Sequence, residues 1–154
     1  MEKALFITLD DTLIFTKSGQ KYPIHSRDWI INIDLFPIIK SCYKEDYKII
    51  IIDNQESVAH GYVDIKVFDN KITEILETLE IACNLKTNSV CYTFWTGDRD
   101  EYYKLPNPGL IYDCALEYEL DIPNSILICN SDEDYLLAFN SGIKTCKDVN
   151  KING

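Results

Sequence analysis

The chain has 154 residues, of which 46% are hydrophobic and 26% charged, and its formal net charge is −10. This size and composition are typical of one soluble globular domain, so we predict a single domain over 1–154. The acidic balance and the lack of a Lys/Arg cluster argue against binding to nucleic-acid ends. Neither a signal peptide nor a membrane-spanning stretch is recognisable, and we expect a cytoplasmic protein.

Strand and helix signals alternate through the first half of the chain. A short apolar run over 3–9 predicts a buried strand, and the turn signal Ser18-Gly19 is compatible with a β-hairpin flap within 12–24. Apolar residues at helical spacing predict a helix over 34–47. Four consecutive isoleucines predict a strand over 47–54, of the kind found in a sheet covered on both faces.

The second half repeats the alternation. An apolar stripe predicts a helix over 69–85, which Asp69 or Asn70 can cap. The remaining predicted elements are, in chain order, a strand over 89–95, a helix over 107–120, a strand over 124–130, a helix over 132–142 and a short strand over 143–146. Such alternation implies a parallel sheet with helices on both faces, which is a three-layer α/β sandwich.

The cysteines are scattered and mostly lie in apolar surroundings, with no C-x-x-C pair. We therefore expect buried, reduced thiols and neither a zinc site nor a disulfide framework. In a parallel α/β sheet the functional cleft lies at the carboxyl ends of the strands. The segments to examine are those that follow the predicted strands, at 8–12, 53–55, from 95 onward and 130–134.

These strand ends resemble, in the same order, the motifs of the haloacid dehalogenase (HAD) superfamily of phosphatases, which begin with D-x-D-x-T. Within that superfamily, "LDDTLIFTKSGQKYP" followed by "RDW" looks like the DNA 3′-phosphatase part of polynucleotide kinase-phosphatases, as does "IIIDNQESVAHGY". The resemblance covers most of the chain and implies a HAD-like (Rossmannoid) fold without a large cap domain. It also implies a reaction in which an aspartate attacks phosphorus beside Mg²⁺.

The first motif departs from the family at its attacking residue. The position of the nucleophilic aspartate falls on Thr8, and a threonine hydroxyl needs a base to activate it and would form a stable ester. Asp10, at the general acid–base position, and Thr12 both match the motif, while Asp11 replaces the usual glycine. Asp10 and Asp11 could alternatively do no more than end the strand at the surface.

The second motif carries an acid where the family has a hydroxyl that binds phosphate. Asp53 holds that position, and like charges about 4 Å apart repel by about 1 kcal/mol in water and by more in a partly buried cleft. Asn54 and Gln55 match the motif, and His60 falls on its arginine. Asp53 is equally compatible with a simple turn, and His60 fits an exposed loop histidine better than a phosphate contact.

The third and fourth motifs are also altered. Leu105 holds the position of the family lysine, and Lys104, one residue out of register, either reaches the cleft from a loop or is an ordinary solvated lysine. Asn130 replaces a magnesium-binding aspartate, while Asp134 is retained. Since Mg²⁺ is usually held by carboxylates and Thr8 and Asn130 supply none, we expect no metal cofactor.

The leading hypothesis is a catalytically degenerate protein derived from a DNA 3′-phosphatase, with a binding or structural role or with self-assembly into a homo-oligomer. The alternative is an active Mg²⁺-dependent polynucleotide 3′-phosphatase or another phosphomonoesterase. In that case Asp10 or Asp53 would be the nucleophile, and Lys104 would clamp the phosphate. A third hypothesis is a protein that binds nucleic-acid ends without chemistry.

Overall fold

The centre of the computed structural model is a five-stranded parallel sheet in the order β5-β4-β1-β6-β7. Its strands are β1 (Ala4–Thr8), β4 (Lys48–Asn54), β5 (Cys91–Trp95), β6 (Ile126–Cys129) and β7 (Thr145–Asp148), while β2 (Ile14–Phe15) and β3 (Ile30–Ile31) form a separate antiparallel pair. The structure describes residues 1–151, so 152–154 of the predicted domain lie outside the described residues.

The two central strands explain why the sheet is covered on both faces. Every residue of β1 is buried, and β4 contains four consecutive buried isoleucines. Successive side chains of a strand point to opposite faces, so a continuous apolar run must be covered from both sides. The register pairs Thr8 with Ile52, which places the carboxyl ends of β1 and β4 side by side.

The helices provide this cover in two layers. They are α1 (Phe36–Lys44), α2 (Glu56–Ala59), α3 (Ile65–Cys83), α4 (Gly109–Tyr118) and α5 (Asp132–Ser141). One core cluster joins Leu5 and Ile7 of β1 to α1 and α3, and a second joins Phe6 to α4 and α5. The predicted three-layer α/β sandwich is therefore confirmed. Within residues 1–151 there is no insertion large enough to form a cap domain, and no helix combines the length and apolar character needed to span a membrane.

Helix α3 begins earlier than predicted from the sequence. Its cap is Asp64, whose side chain accepts a hydrogen bond from the Lys66 backbone N–H, and Asp69 and Asn70 lie inside the helix. The predicted cap was wrong because the apolar stripe continues back to Phe68, which is buried against the core. A helix that contributes this side chain must include at least one more turn at its start.

The flap, defined here as residues 14–31, is wider than the hairpin predicted within 12–24. Ile14–Phe15 pairs with Ile30–Ile31, so the partner strand lies beyond the predicted range. The buried carboxylate of Asp28 organises the loop between them, since it accepts hydrogen bonds from the Ser18 backbone N–H at 2.7 Å, the Ser18 hydroxyl at 2.6 Å and the Ile24 N–H at 3.0 Å. Ser18-Gly19 is thus a turn within the flap loop and does not connect two paired strands.

We expect Asp28→Asn to loosen the flap loop. The hydrogen bond from Ser18 is the main cause that lowers the pKa of Asp28 from 3.8 to about 2. Because the native pKa lies below the unfolded value, the carboxylate stabilises the flap above about pH 4, and this contribution is lost as the pH falls towards 2. Hydrogen–deuterium exchange should show several-fold faster exchange over 16–29 in Asp28→Asn at neutral pH. The exposed Asp46→Asn serves as control, and unchanged exchange in Asp28→Asn would contradict the assignment.

Candidate active-site cleft

The carboxyl ends of β1, β4 and β6 bring together segments that are far apart in the sequence. The Asp10 backbone N–H, just after β1, donates to the Asp53 carboxylate at 2.6 Å. The side-chain amide of Asn130, after β6, donates to the carbonyl oxygen of Asp11. The first, second and fourth motif segments therefore meet at one edge of the sheet, as expected for parallel strands.

Thr8 lies at the end of β1 and is 5% exposed. Its hydroxyl donates to the hydroxyl of Thr12 at 2.8 Å, and Thr12 is 1% exposed. A threonine acts as a nucleophile only when a neighbouring base accepts its proton. Here the hydrogen bond of Thr8 goes to another hydroxyl, which is too weakly basic for that role.

Asp11 has an unusual backbone conformation for a residue with a side chain. Its φ is 63°, in the left-handed region that favours glycine. This conformation gives a physical reason for the glycine at this position of the resembled motif. Asp11 itself is exposed, so the tight turn is kept and a carboxylate is added at the mouth of the cleft.

Asp10 and Asp53 form a pair of neighbouring carboxylates. Burial, and then the charge of Asp10, raise the pKa of Asp53 well above its usual value, although its carboxylate accepts hydrogen bonds from the backbone N–H groups of Asp10 and Asn54. Asp10 as a residue is exposed, but its carboxyl group faces the cleft, where loss of solvation raises its pKa. Gln55 opposes this shift by donating to Asp10 at 3.0 Å. The two acids therefore titrate as an interacting pair.

Asn54, predicted as a binding residue, holds the third motif segment in place. Its side-chain amide donates to the Leu105 carbonyl oxygen and accepts from the Leu105 N–H, both at 2.8 Å. Lys104, next to this anchor, contacts Glu56 at 2.9 Å and lies 4.9 Å from the centre of the Trp95 ring. The hydrogen bond from Lys104 to Glu56 is the main cause that raises the Lys104 pKa. The negative charge of the Glu56 carboxylate therefore balances the positive charge of Lys104.

The fourth motif segment does not fit the magnesium site implied by the resemblance. Asn130 directs its side-chain amide N–H towards the Asp11 carbonyl, and its backbone N–H donates to the Asp134 carboxylate at 2.9 Å. Burial raises the pKa of Asp134, whose charge in turn acts on Asp53. Across residues 1–151, no three or more His, Cys, Asp or Glu side chains are gathered to hold a metal. That the protein uses no metal cofactor stays a prediction.

The predicted binding residue His60 lies outside the cleft, whereas two residues that were not predicted, Lys71 and Glu56, line it. His60 is exposed at the end of α2, 3.4 Å from Glu56 and beside the ring of Tyr62. Lys71 of α3 lies near enough to Asp10 for its charge to lower the Asp10 pKa. Sequence reasoning missed Lys71 and Glu56 because they are ordinary polar residues of helices, and nothing in their spacing indicates a site.

A cavity of about 440 Å³ opens beside Asp10, between the flap and helices α2 and α3. We call it the flap cavity. Its lining combines apolar side chains from the flap and from the helices with polar residues that include Asp10, Asp11 and Gln55. The apolar residues that line it are Ile14, Phe15, Tyr22, Pro23, Ile24, Val58, Val63, Val67 and Phe68.

A parallel sheet of this order, with an acidic turn after its first strand and a small flap, defines the HAD-like phosphatase fold. The chain belongs to the polynucleotide kinase 3 phosphatase family, whose sequence profile matches residues 3–143. A HAD-like phosphatase from Mesorhizobium loti superposes with a TM-score of 0.79 over 99% of this chain and 83% of its own, at 16% identity. At this level of identity the likeness concerns the fold alone.

Curated relatives carry phosphatase names. One relative is a D-glycero-beta-D-manno-heptose-1,7-bisphosphate 7-phosphatase of Helicobacter pylori, to which the chain is 23% identical over 142 residues. The alignment covers 92% of this chain and 80% of the relative. The chain is 31% identical over 81 residues to the bifunctional polynucleotide phosphatase/kinase of Schizosaccharomyces pombe, over 52% of this chain and 20% of the relative. A heptose 1,7-bisphosphate phosphatase from B. bronchiseptica, solved with magnesium and phosphate, gives a TM-score of 0.70 at 18% identity, over 91% of this chain and 77% of its own.

Proposed function

We propose that this chain is a catalytically degenerate member of its phosphatase family, which binds a ligand in its cleft and does not hydrolyse phosphomonoesters. The observation that carries the proposal is the buried pair of hydroxyls formed by Thr8 and Thr12 at 2.8 Å. Thr8 holds the position from which a carboxylate attacks phosphorus in the resembled enzymes. No labile acyl phosphate forms on a threonine, so this route of turnover is closed.

The charges around the cleft support the same proposal. Asp53 stands where a phosphate-binding hydroxyl is expected, and the charges of Asp10 and Asp134 both act on it. The Lys104 ammonium group forms an ion pair with the Glu56 carboxylate at 2.9 Å. A dianionic phosphate bound in this cleft would be repelled by the Asp10 and Asp53 carboxylates, and in a partly desolvated site each such repulsion exceeds its value in water.

The second candidate function is an active phosphomonoesterase with altered chemistry. It is favoured by the phosphatase names of the relatives and by the retention of Asp10 next to Asp53. In this version the Asp10 or Asp53 carboxylate would attack the phosphorus and displace the alcohol of the ester, and water would then hydrolyse the acyl phosphate to release phosphate. Mg²⁺, if bound, would supply charge neutralisation. The relatives suggest two substrates to test, a heptose 1,7-bisphosphate and a 3′-phosphorylated oligonucleotide.

Phosphate release distinguishes the two candidates. We expect the purified protein, with Mg²⁺, to release phosphate from both substrates and from p-nitrophenyl phosphate only at the background rate. Thr8→Ala, Asp10→Asn and the exposed control Asp34→Asn should give the same background. Release more than about tenfold above background that disappears in Asp10→Asn but not in Asp34→Asn would overturn the degenerate assignment.

Self-association is a separate proposal for the role of this protein. It is supported only by the exposure of large apolar side chains such as Leu116 of α4 and Phe139 of α5, each more than four-fifths exposed. Light scattering over a range of protein concentrations tests it. A molar mass that stays at one chain would count against a homo-oligomer.

A further inference from the structure

The flap cavity is larger and more apolar than a phosphate site requires. Its volume of about 440 Å³ falls within the range of sites for small organic ligands. Phe15 and Tyr22 of the flap and Phe68 of α3 contribute aromatic wall, and Val58 and Val67 contribute aliphatic wall. Contact with such a wall favours a ligand that has an apolar ring or chain.

The part of the flap-cavity lining that follows β1 is acidic. Asp10 and Asp11 belong to the lining, and the Asp10 backbone N–H contacts the carboxylate of Asp53, which also experiences the charge of Asp134. Two other acids of the lining have partners within the protein, since Asp28 accepts hydrogen bonds from the flap loop and Glu56 forms an ion pair with Lys104. Of the acids in the lining, Asp10 and Asp11 therefore remain as the negative groups that face a ligand.

The lining contains two lysines, and one of them acts on Asp10. Lys21 lies over the ring of Tyr22 on the flap, with its Nζ 5.4 Å from the ring centre. Lys71 of α3 lies near enough to Asp10 for its charge to lower the Asp10 pKa. Lys71 therefore competes with any cationic group that approaches Asp10, and its removal should strengthen the binding of such a group.

We propose that the flap cavity binds a small amphiphilic amine, with its apolar body against Phe15, Val67 and Phe68 and its ammonium group at the Asp10 carboxylate. This inference rests on the proposed non-catalytic function, since it names the class of ligand that the cleft takes. An ammonium donates charge-assisted hydrogen bonds to carboxylates, whereas a phosphate or carboxylate at the same place is repelled.

Tryptamine and indole-3-propionate form a matched pair of probes, because they share ring and chain length and differ in the sign of the terminal charge. By NMR titration at low salt, we expect tryptamine to bind at least about tenfold more tightly than indole-3-propionate, as one charge-assisted hydrogen bond implies. Asp10→Asn should weaken tryptamine binding about tenfold, and Lys71→Met should strengthen it.

The cavity wall is tested by Val67→Trp, which fills the space from a position on α3 that is 47% exposed. Ile81→Trp, on the same helix and 82% exposed, is the matched control. Val67→Trp should abolish tryptamine binding and Ile81→Trp should leave it unchanged, with circular dichroism used to verify that both variants fold. Absence of tryptamine binding, or tighter binding of indole-3-propionate, would overturn the inference and leave the proposed function standing. Phosphate release that depends on Asp10 would instead overturn the proposed function.

Discussion

Glu80→Ala is expected to lower the free energy of unfolding by about 3 kcal/mol, because a buried carboxylate then no longer accepts two backbone N–H groups. Glu80 lies near the end of α3 and is 5% exposed. Its carboxylate accepts from the Asn88 N–H at 3.2 Å and from the Val90 N–H at 3.1 Å. These bonds tie the end of α3 to the loop that leads into β5.

The comparison of three variants separates the hydrogen bonds from helix propensity. Glu80→Gln keeps a single acceptor oxygen, so its loss should be about half that of Glu80→Ala. Glu77→Ala, at an exposed position of the same helix, should change stability by less than about 0.5 kcal/mol. Urea unfolding gives the three free energies. Equal stabilities of Glu80→Ala and Glu77→Ala would show that the buried carboxylate contributes nothing.

The second large effect is a fall in stability as the pH rises above 4, caused by the acids of the cleft. Burial and the charge of Asp10 hold the native pKa of Asp53 well above 3.8, the value expected in the unfolded chain. Ionising Asp53 is thus harder in the native state, so stability is lost as the pH rises from about 4 through the raised native pKa. Each unit of difference between native and unfolded pKa corresponds to about 1.4 kcal/mol.

Urea unfolding between pH 4.5 and 8 measures this slope. Asp10 and Asp134 also have raised pKa values and contribute with the same sign, whereas Asp28 and Asp148 have lowered values and act only at more acidic pH. Asp53→Asn should flatten the slope, and the exposed Asp132→Asn should leave it unchanged. A wild-type protein whose stability is flat or rises over this interval would contradict the raised pKa of Asp53.

The polar side chains of the cleft are hydrogen-bonded to other parts of the protein. Asn54 and Gln55, which match the resembled motif, bind the Leu105 backbone and the Asp10 carboxylate respectively. The Thr8 and Asn130 side chains likewise have protein partners. The residues at which the chain departs from the resembled motif therefore have hydrogen-bond partners within the protein.

The sequence by itself determined the order and type of the main strands and helices, because four consecutive isoleucines favour a buried strand and apolar stripes at helical spacing favour a helix. It also determined which strand ends would carry the site, since parallel strands place their carboxyl ends together. The substitution at Thr8 was visible without coordinates. Local patterns and motif register are properties of neighbouring residues, so one chain suffices to identify them.

Only the tertiary structure decided how these residues are used. The partner of Thr8, the contact between Asp10 and Asp53, and the pairing of Lys104 with Glu56 each join segments whose distance depends on packing. The extent of the flap follows from the pairing of β2 with β3, and its loop is held by Asp28, a buried carboxylate that accepts hydrogen bonds from the loop N–H groups. Such contacts are set by how the sheet and helices pack together, and no spacing in the sequence encodes them.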